Sequence, residues 1–229
     1  DSGALEFRGY FGVSSQIMVA GSAIVSTSSH AIAFSDFFLG ANTMLLLLDN
    51  YIEGSSYAFY ISDTVVDGGG IIVKGNTLLS TANEDEVPTA VFVETIDVMK
   101  GSYLDVENNT MSAANGIYFF GDTTVGSAGL LRVADCTFVG RTKGSYSALL
   151  YLDGSVTLEG GAQWRVEGNS VITASIITME DALHKILLSG SGTIVVLAHN
   201  RQVDGSIVFC KLFASSIVVK PPSRFLFGC

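Results

Sequence analysis

Six acidic residues close short alternating segments along this chain, and carboxylates at regular intervals are the first groups that could do chemistry. They are Asp36, Asp63, Glu94, Asp122, Asp153 and Glu180. Stacked at the strand spacing of a sheet, about 4.8 Å, such carboxylates repel unless a cation screens them, which would make a calcium-binding edge. The same residues also cap turns and face solvent, and neither a D-x-D-x-D-G loop nor a GGxGxD repeat is present. A second set is Asp105, Arg132 and Arg165, at one equivalent position of three successive repeats. It can face a substrate as a charge cluster, or form a surface ion-pair ladder worth under about 1 kcal/mol per pair. Cleavage of an acidic polysaccharide needs paired carboxylates, or an Arg or Lys base beside calcium. The three histidines, His30, His184 and His199, stand in unrelated contexts. No catalytic residue and no cofactor are expected, and the chain reads as a non-enzyme.

The cysteines, Cys136, Cys210 and Cys229, lack CxxC spacing, which argues against a zinc site. Cys136 and Cys210 fall two repeats apart, whereas a disulfide requires Cα atoms within about 7 Å. Cys229 is the candidate for an intermolecular bond or a free thiol. Asn108-Asn109-Thr110 fits the N-x-T glycosylation acceptor, making Asn108 the candidate site.

A net charge of −10, with only 12 Lys and Arg and no basic run, excludes the cation clusters that nucleic-acid binding requires. Apolar residues make up 48% of the 229 positions and charged residues 15%, enough for a substantial core. Abundant Gly (25) and scarce Pro (3) suit many tight turns between short strands. No apolar run approaches the roughly 20 residues of a membrane-spanning helix. The start, Asp-Ser-Gly, has no signal-peptide pattern and reads as a mature chain or a piece of a longer one.

The elements that must position these groups emerge from an internal repeat. "GGGIIVKGNTLLS" from Gly68, "KGSYLDVENNTMS" from Lys100 and "GGAQWRVEGNSVI" from Gly160 say nearly the same thing. With Asn76, Asn109 and Asn169 as anchors, the residue three earlier is Val73, Val106 or Val166, and the residue five earlier Ile71, Leu104 or Trp164. The template also finds anchors Asn50, Cys136 and Asn200, and ends on Ile217, Val219 and Pro222. Two residues past the anchor comes Ile52, Leu78, Met111, Phe138 or Val171. Valine should point inward in every coil. Asparagine should mark the corner, because it tolerates left-handed backbone and bonds nearby backbone, and stacked asparagines can bond one another.

Before each anchor stands a second alternating segment, such as "YAFYISD" from Tyr57, "AVFVET" from Ala90, "GIYFFGD" from Gly116 and "ALLYLDG" from Ala148. Each repeat therefore supplies about three period-two strands punctuated by Gly, Asn and Asp. Unequal anchor spacing argues against a rigid helical repeat, and insertions such as "STANEDEVPT" from Ser80 fall where a loop tolerates them. These features predict an all-β chain: a single-stranded, right-handed parallel β-helix of about eight coils, one domain over 1–229. Residues 1–30 are expected as an N-terminal cap and 220–229 as a non-repeat tail. Handedness here is the habit of the fold class.

"GSYLDVENNTMSAANGIYFF" and "GGAQWRVEGNSV" resemble the dispersed gene family surface proteins of trypanosomatid parasites, long repetitive proteins with β-helix regions. The resemblance spans Gly40 to Asn200 and rests on G-x-x-h-x-V-x-x-N-T/S, a pattern shared in part with pectin-lyase-like β-helices. It implies an extracellular or cell-surface protein with an adhesive role, and no catalytic residues. The tail "KPPSRFLFGC" does not fit the pattern.

The outward position four before the anchor reads Leu46 and Ile72 early, Asp105, Arg132 and Arg165 in the middle, and Val196 and Val218 late. Apolar residues on an outer face call for cover, by the terminal segments or by a partner. Leu46, Ile72, Val196 and Val218 are thus interface candidates. The expected function is a structural or adhesive surface module that self-associates or binds other surface proteins. The alternative is a β-helix that binds or cleaves carbohydrate.

Overall fold

The computed structural model describes residues 3–81, 87–141, 147–203 and 210–228. The chain winds as a parallel β-solenoid of about seven turns. One central coil displays the pattern: strands Thr89–Val93, Ile96–Met99, Tyr103–Glu107 and Thr110–Ala113 follow one another around the cross-section. Each pairs in parallel with its counterparts in the coils before and after, so four ladders run along the axis. They are called first to fourth in that order. In the early coils one long strand, His30–Leu39 or Tyr57–Asp67, serves both the first and the second ladder. It bends at Asp36 or Asp63, whose φ values are 50° and 44°. Eight strands form the third ladder and bound seven intervals, which accounts for seven turns where the repeat suggests about eight.

Alternation along each strand builds the interior. Leu47, Val73, Val106, Val133, Val166 and Leu197 lie in register, and so do Leu45, Ile71, Leu104, Leu131, Trp164 and Val195; all are buried. Ile52, Leu78, Met111, Phe138 and Val171 continue the core on the fourth ladder. A fully buried side chain of this size contributes about 1.5–3 kcal/mol of transfer free energy, and no single coil could enclose one. Trp164 is wholly inside, a core residue.

The anchors make a bonded column at the corner between the third and fourth ladders. The Asn50 backbone N–H and Nδ2 both donate to Asn76 Oδ1, at 2.9 and 3.0 Å. Asn76 donates in the same way to Asn109, and Asn169 to Asn200. Each Nδ2 also donates to a carbonyl of the preceding coil: Val19, Leu47, Val73, Val133 or Val166. Cys136 occupies one place in the column. Its N–H donates to Asn169 Oδ1 at 2.9 Å, but its sulfur receives Asn109 Nδ2 only at 4.0 Å.

The corner differs from expectation in one respect. The left-handed residue is the one before the anchor: Asp49, Gly75, Asn108, Asp135, Gly168 and His199, with φ from 53° to 71°. The anchors supply hydrogen bonds, and their neighbours supply the turn. Gly75 and Gly168 have a further reason to be glycine. A Cβ on either would sit 2.2 or 2.3 Å from the carboxylate oxygen of Asp49 or Asp135 in the preceding coil.

Both termini correct the sequence reading. Strands Leu5–Phe11, Gln16–Ala20 and Ala23–Ser26 pair with the next coil on the ladders, so residues 5–26 contribute a first coil within the segment expected as a cap. Arg224–Phe227 pairs with Ile194–Ala198, so the tail also extends the third ladder. Phe225 and Phe227 take the inward positions that the repeat assigned to Ile217 and Val219. Ile217–Val219 instead pairs with Ile186–Ser189 on the second ladder. The misreading arose because alternating short strands on different ladders look alike.

Candidate functional site

On the first ladder the inward residues of successive strands are Phe59 and Ile61, Val91 and Val93, Ile117 and Phe119, Leu150 and Leu152. The residue between each pair must point outward, and it is aromatic in four consecutive coils: Tyr60, Phe92, Tyr118 and Tyr151, in register. The row is bounded by Ala33 on one side and Thr178 on the other. Tyr57, at the start of its strand, and Phe120, just past the end of Asn115–Phe119, broaden it. Tyr57 stacks on Phe92 with centroids 4.5 Å apart, and Tyr60 on Phe92 at 5.7 Å. Phe120 stacks on Phe92 at 5.7 Å, while Tyr118 stands edge-on to Phe92 and to Tyr151. His30 stacks against Tyr60 at 5.5 Å.

These rings form one wall of an open cleft of about 450 Å³, lined by Ser56, Tyr57, Val87, Phe92, Tyr118 and Phe120. Phe120 remains 48% exposed and Val87 50%. Two phenols are tied at the rim. The Tyr60 hydroxyl donates to Glu94, and the Tyr118 hydroxyl donates to Asp153 at 2.8 Å. Burial, followed by the bond to Glu94, pushes the Tyr60 phenol up to about 12; burial and then Asp153 raise that of Tyr118 further. Both stay neutral donors at any physiological pH. Asp153 also has His184 Nε2 at 3.4 Å, and Asp181 lies 3.7 Å from the same nitrogen. Burial lowers the pKa of His30.

The six acids that drew attention in the sequence do not form one row. Glu94, Asp153 and Glu180 follow inward residues in register, but Phe120 takes the place between Glu94 and Asp153. Asp36 and Asp63 fall one position further along, at the bend of the long strands. Asp122 lies three positions past the in-register Phe119 and accepts the Ser155 N–H at 3.0 Å. Their sequence spacing from the preceding strand differs by one or two residues, enough to break a stack. Among the described residues no group of three or more His, Cys, Asp and Glu is placed to hold a metal ion.

Asp105, Arg132 and Arg165 do stack on the third ladder, as an ion-pair network. Arg132 Nη1 donates to both Asp105 oxygens at 3.1 and 3.2 Å and lies 3.4 Å from Glu107, while its Nε is 3.7 Å from Glu167. Lys74 reaches Glu107 at 3.2 Å, and Arg165 reaches Glu167 at 3.5 Å. Burial raises the Asp105 carboxyl in spite of Arg132. Burial also opposes ionisation of Glu107, but the Lys74 bond and Arg132 together hold that group below the usual range. The charges are occupied with one another.

Leu46, Ile72 and Val196 share this outward column, with Met18 before them and Leu226 after. Val218 does not; it aligns with Leu187 on the second ladder. The terminal segments prolong the column and leave it uncovered, with Met18 60% exposed. Asn108 is an exposed corner residue, accessible to modification. Cys136 is buried, and burial pushes its thiol up to about 11. Cys210 pairs with Ile177 on the first ladder, far around the coil from Cys136. Cys229 and the stretch "ANEDE" lie outside the described residues.

The aromatic row escaped the sequence reading although its signal was there. "YAFY", "AVF", "GIYF" and "ALLY" each carry a ring between two inward aliphatic or aromatic positions. The rings blend into strand-forming composition, and the closing acids stand two to four residues further along. No family model matches this chain, and neither a curated protein nor a solved structure does. No helix among the described residues is long and apolar enough to cross a membrane.

Proposed function

We propose that this chain is a rigid structural and adhesive module that works at a cell surface or outside the cell and presents its first ladder to a partner. The aromatic patch carries this reading: four rings in register, flanked by Tyr57 and by the 48% exposed Phe120, are held by a buried, hydrogen-bonded frame as a pre-organised contact surface. Rings with tied phenols lose little side-chain freedom on binding, which is why such residues serve as anchors. The extracellular placement comes from the resemblance of the repeat to trypanosomatid surface proteins.

The role is non-catalytic. The stacked charges on the third ladder neutralise one another, and acidic polysaccharide should not be cleaved. Turnover abolished by replacing Asp105 or Arg132 would contradict that assignment. The end strands, paired on one side among the described residues, also accept a further coil, from a second copy or another surface protein. Light scattering at increasing concentration tests this association.

Adhesion is tested with beads coated in the intact chain and presented to glycoprotein-rich extracellular matrix. Retention should exceed that of albumin-coated beads and fall on replacement of Tyr57 and Phe120 by serine. Equal retention of chain-coated and albumin-coated beads overturns the proposal.

A further inference from the structure

We infer that the aromatic row binds an uncharged glycan chain lying along the solenoid axis, with Tyr57, Tyr118 and Phe120 as stacking platforms packed on the buried Phe92. The inference rests on the adhesive reading of the same face and names the ligand class. Three observations select it. The first is shape. Rings recur once per coil, about 4.8 Å apart along the axis, and those that reach the surface, Tyr57, Tyr60, Tyr118 and Phe120, span three coils over the buried Phe92. The occupant is therefore elongated and offers a succession of flat apolar faces. The cleft, at about 450 Å³, lies in the range of small-ligand sites and takes a short oligosaccharide.

The second is charge. The chain carries −10, and Glu94 and Asp153 stand at the edge of the rings. A polyanion, whether nucleic acid or uronate polymer, meets repulsion here, and among the described residues the row's own cation, Lys211, stands two coils beyond Tyr151. The third is the rim chemistry. Each of these carboxylates accepts one phenolic hydroxyl and keeps acceptor capacity for others, and Ser56 adds a hydroxyl. A purely apolar occupant would desolvate those acceptors without replacing their hydrogen bonds. A pyranose satisfies both demands: its axial C–H face lies on a ring, and its equatorial hydroxyls donate at the edge.

The geometry also distinguishes a sugar from a small organic cation. Phe92, Tyr118 and Phe120 pack on one another, with centroids 5.2 to 6.0 Å apart. They present a ridge and side wall and do not enclose a box of the kind that surrounds a quaternary ammonium.

The test is calorimetric titration of the intact chain with cellohexaose, chitohexaose and mannohexaose, with hexagalacturonate and tetramethylammonium as contrasts. At least one neutral hexasaccharide should bind saturably, and about tenfold more tightly than hexagalacturonate. Phe120→Ser and Tyr57→Ser should each weaken it by about tenfold or more, with unchanged melting in a parallel thermal scan. Failure of all three neutral sugars to bind at millimolar concentration overturns the inference. So does a neutral sugar whose affinity both variants leave intact, or preferential binding of the uronate or the ammonium ion. Bead adhesion separates this from the broader reading. Aromatic-dependent adhesion without sugar binding sinks the glycan assignment alone, whereas loss of both sinks the adhesive reading as well.

Discussion

The asparagine corner and the aromatic face lie on the same coils and obey opposite rules. At the corner the side chain is nearly invariant from Asn50 to Asn200, buried, and bonded to the coils above and below. On the face the residue changes from Tyr60 to Phe92, Tyr118 and Tyr151, alternates between half-buried and buried, and gives way to Ala33 and Thr178 at the ends. A feature that every coil needs is repeated because the stack fails without it. A feature confined to four coils is not demanded by stacking, since the ladder continues past it on both sides. The difference separates what builds the solenoid from what the solenoid carries.

The frame should break where burial is complete. Val106→Asp places an unpaired carboxylate among Leu104, Val73 and Val133, a cost of several kcal/mol or more, and should prevent the central coils from folding. Circular dichroism that matches the parent in shape and melting would show the register to be wrong. Asn76→Ala should cost about 3–5 kcal/mol in urea unfolding, because it strands the Asn50 backbone N–H and the Leu47 carbonyl and removes one of the two donors to Asn109 Oδ1. Cys136→Asn runs the other way. It restores an oxygen acceptor to Asn109 Nδ2 and should add about 1 kcal/mol.

Smaller effects belong to the third-ladder charges. Asp105 titrates above its usual range, so the folded chain takes up that proton first, and stability from this group rises as pH falls through the window. Glu107 titrates below its usual range, so the unfolded chain takes up its proton first, and that stability is lost as pH falls through the ordinary glutamate range. Asp105→Asn should therefore steepen the acid-side loss of stability, and Glu107→Gln should flatten it, each by about 1 kcal/mol or less. Urea midpoints measured from pH 7 to pH 3 check both signs.

Much of the frame was legible because it is periodic. Val73, Val106 and Val166 recur at a fixed distance from an asparagine, and only a stacked coil makes that distance meaningful. The bonded column and the buried Trp164 followed from the same count. Register at the ends was not legible, since "SIVVK" and "RFLF" are equally good short strands and only pairing tells which ladder takes each. Asp49, Asn108 and Asp135 were passed over as turn residues because the conspicuous asparagine beside them claimed the role. The face was hidden for a physical reason. An outward ring and an inward ring read alike in sequence, as Phe119 and Phe120 do side by side, and exposure is decided by the neighbouring coils.

The most direct test of the division between frame and face is one protein measured twice: the double variant Tyr57→Ser, Phe120→Ser, assayed for bead adhesion and for thermal unfolding. The account predicts that adhesion falls to the albumin level while the unfolding midpoint stays within about 2 °C of the parent. Adhesion that survives removal of the rings, or a midpoint lowered as far as that of Asn76→Ala, would contradict it.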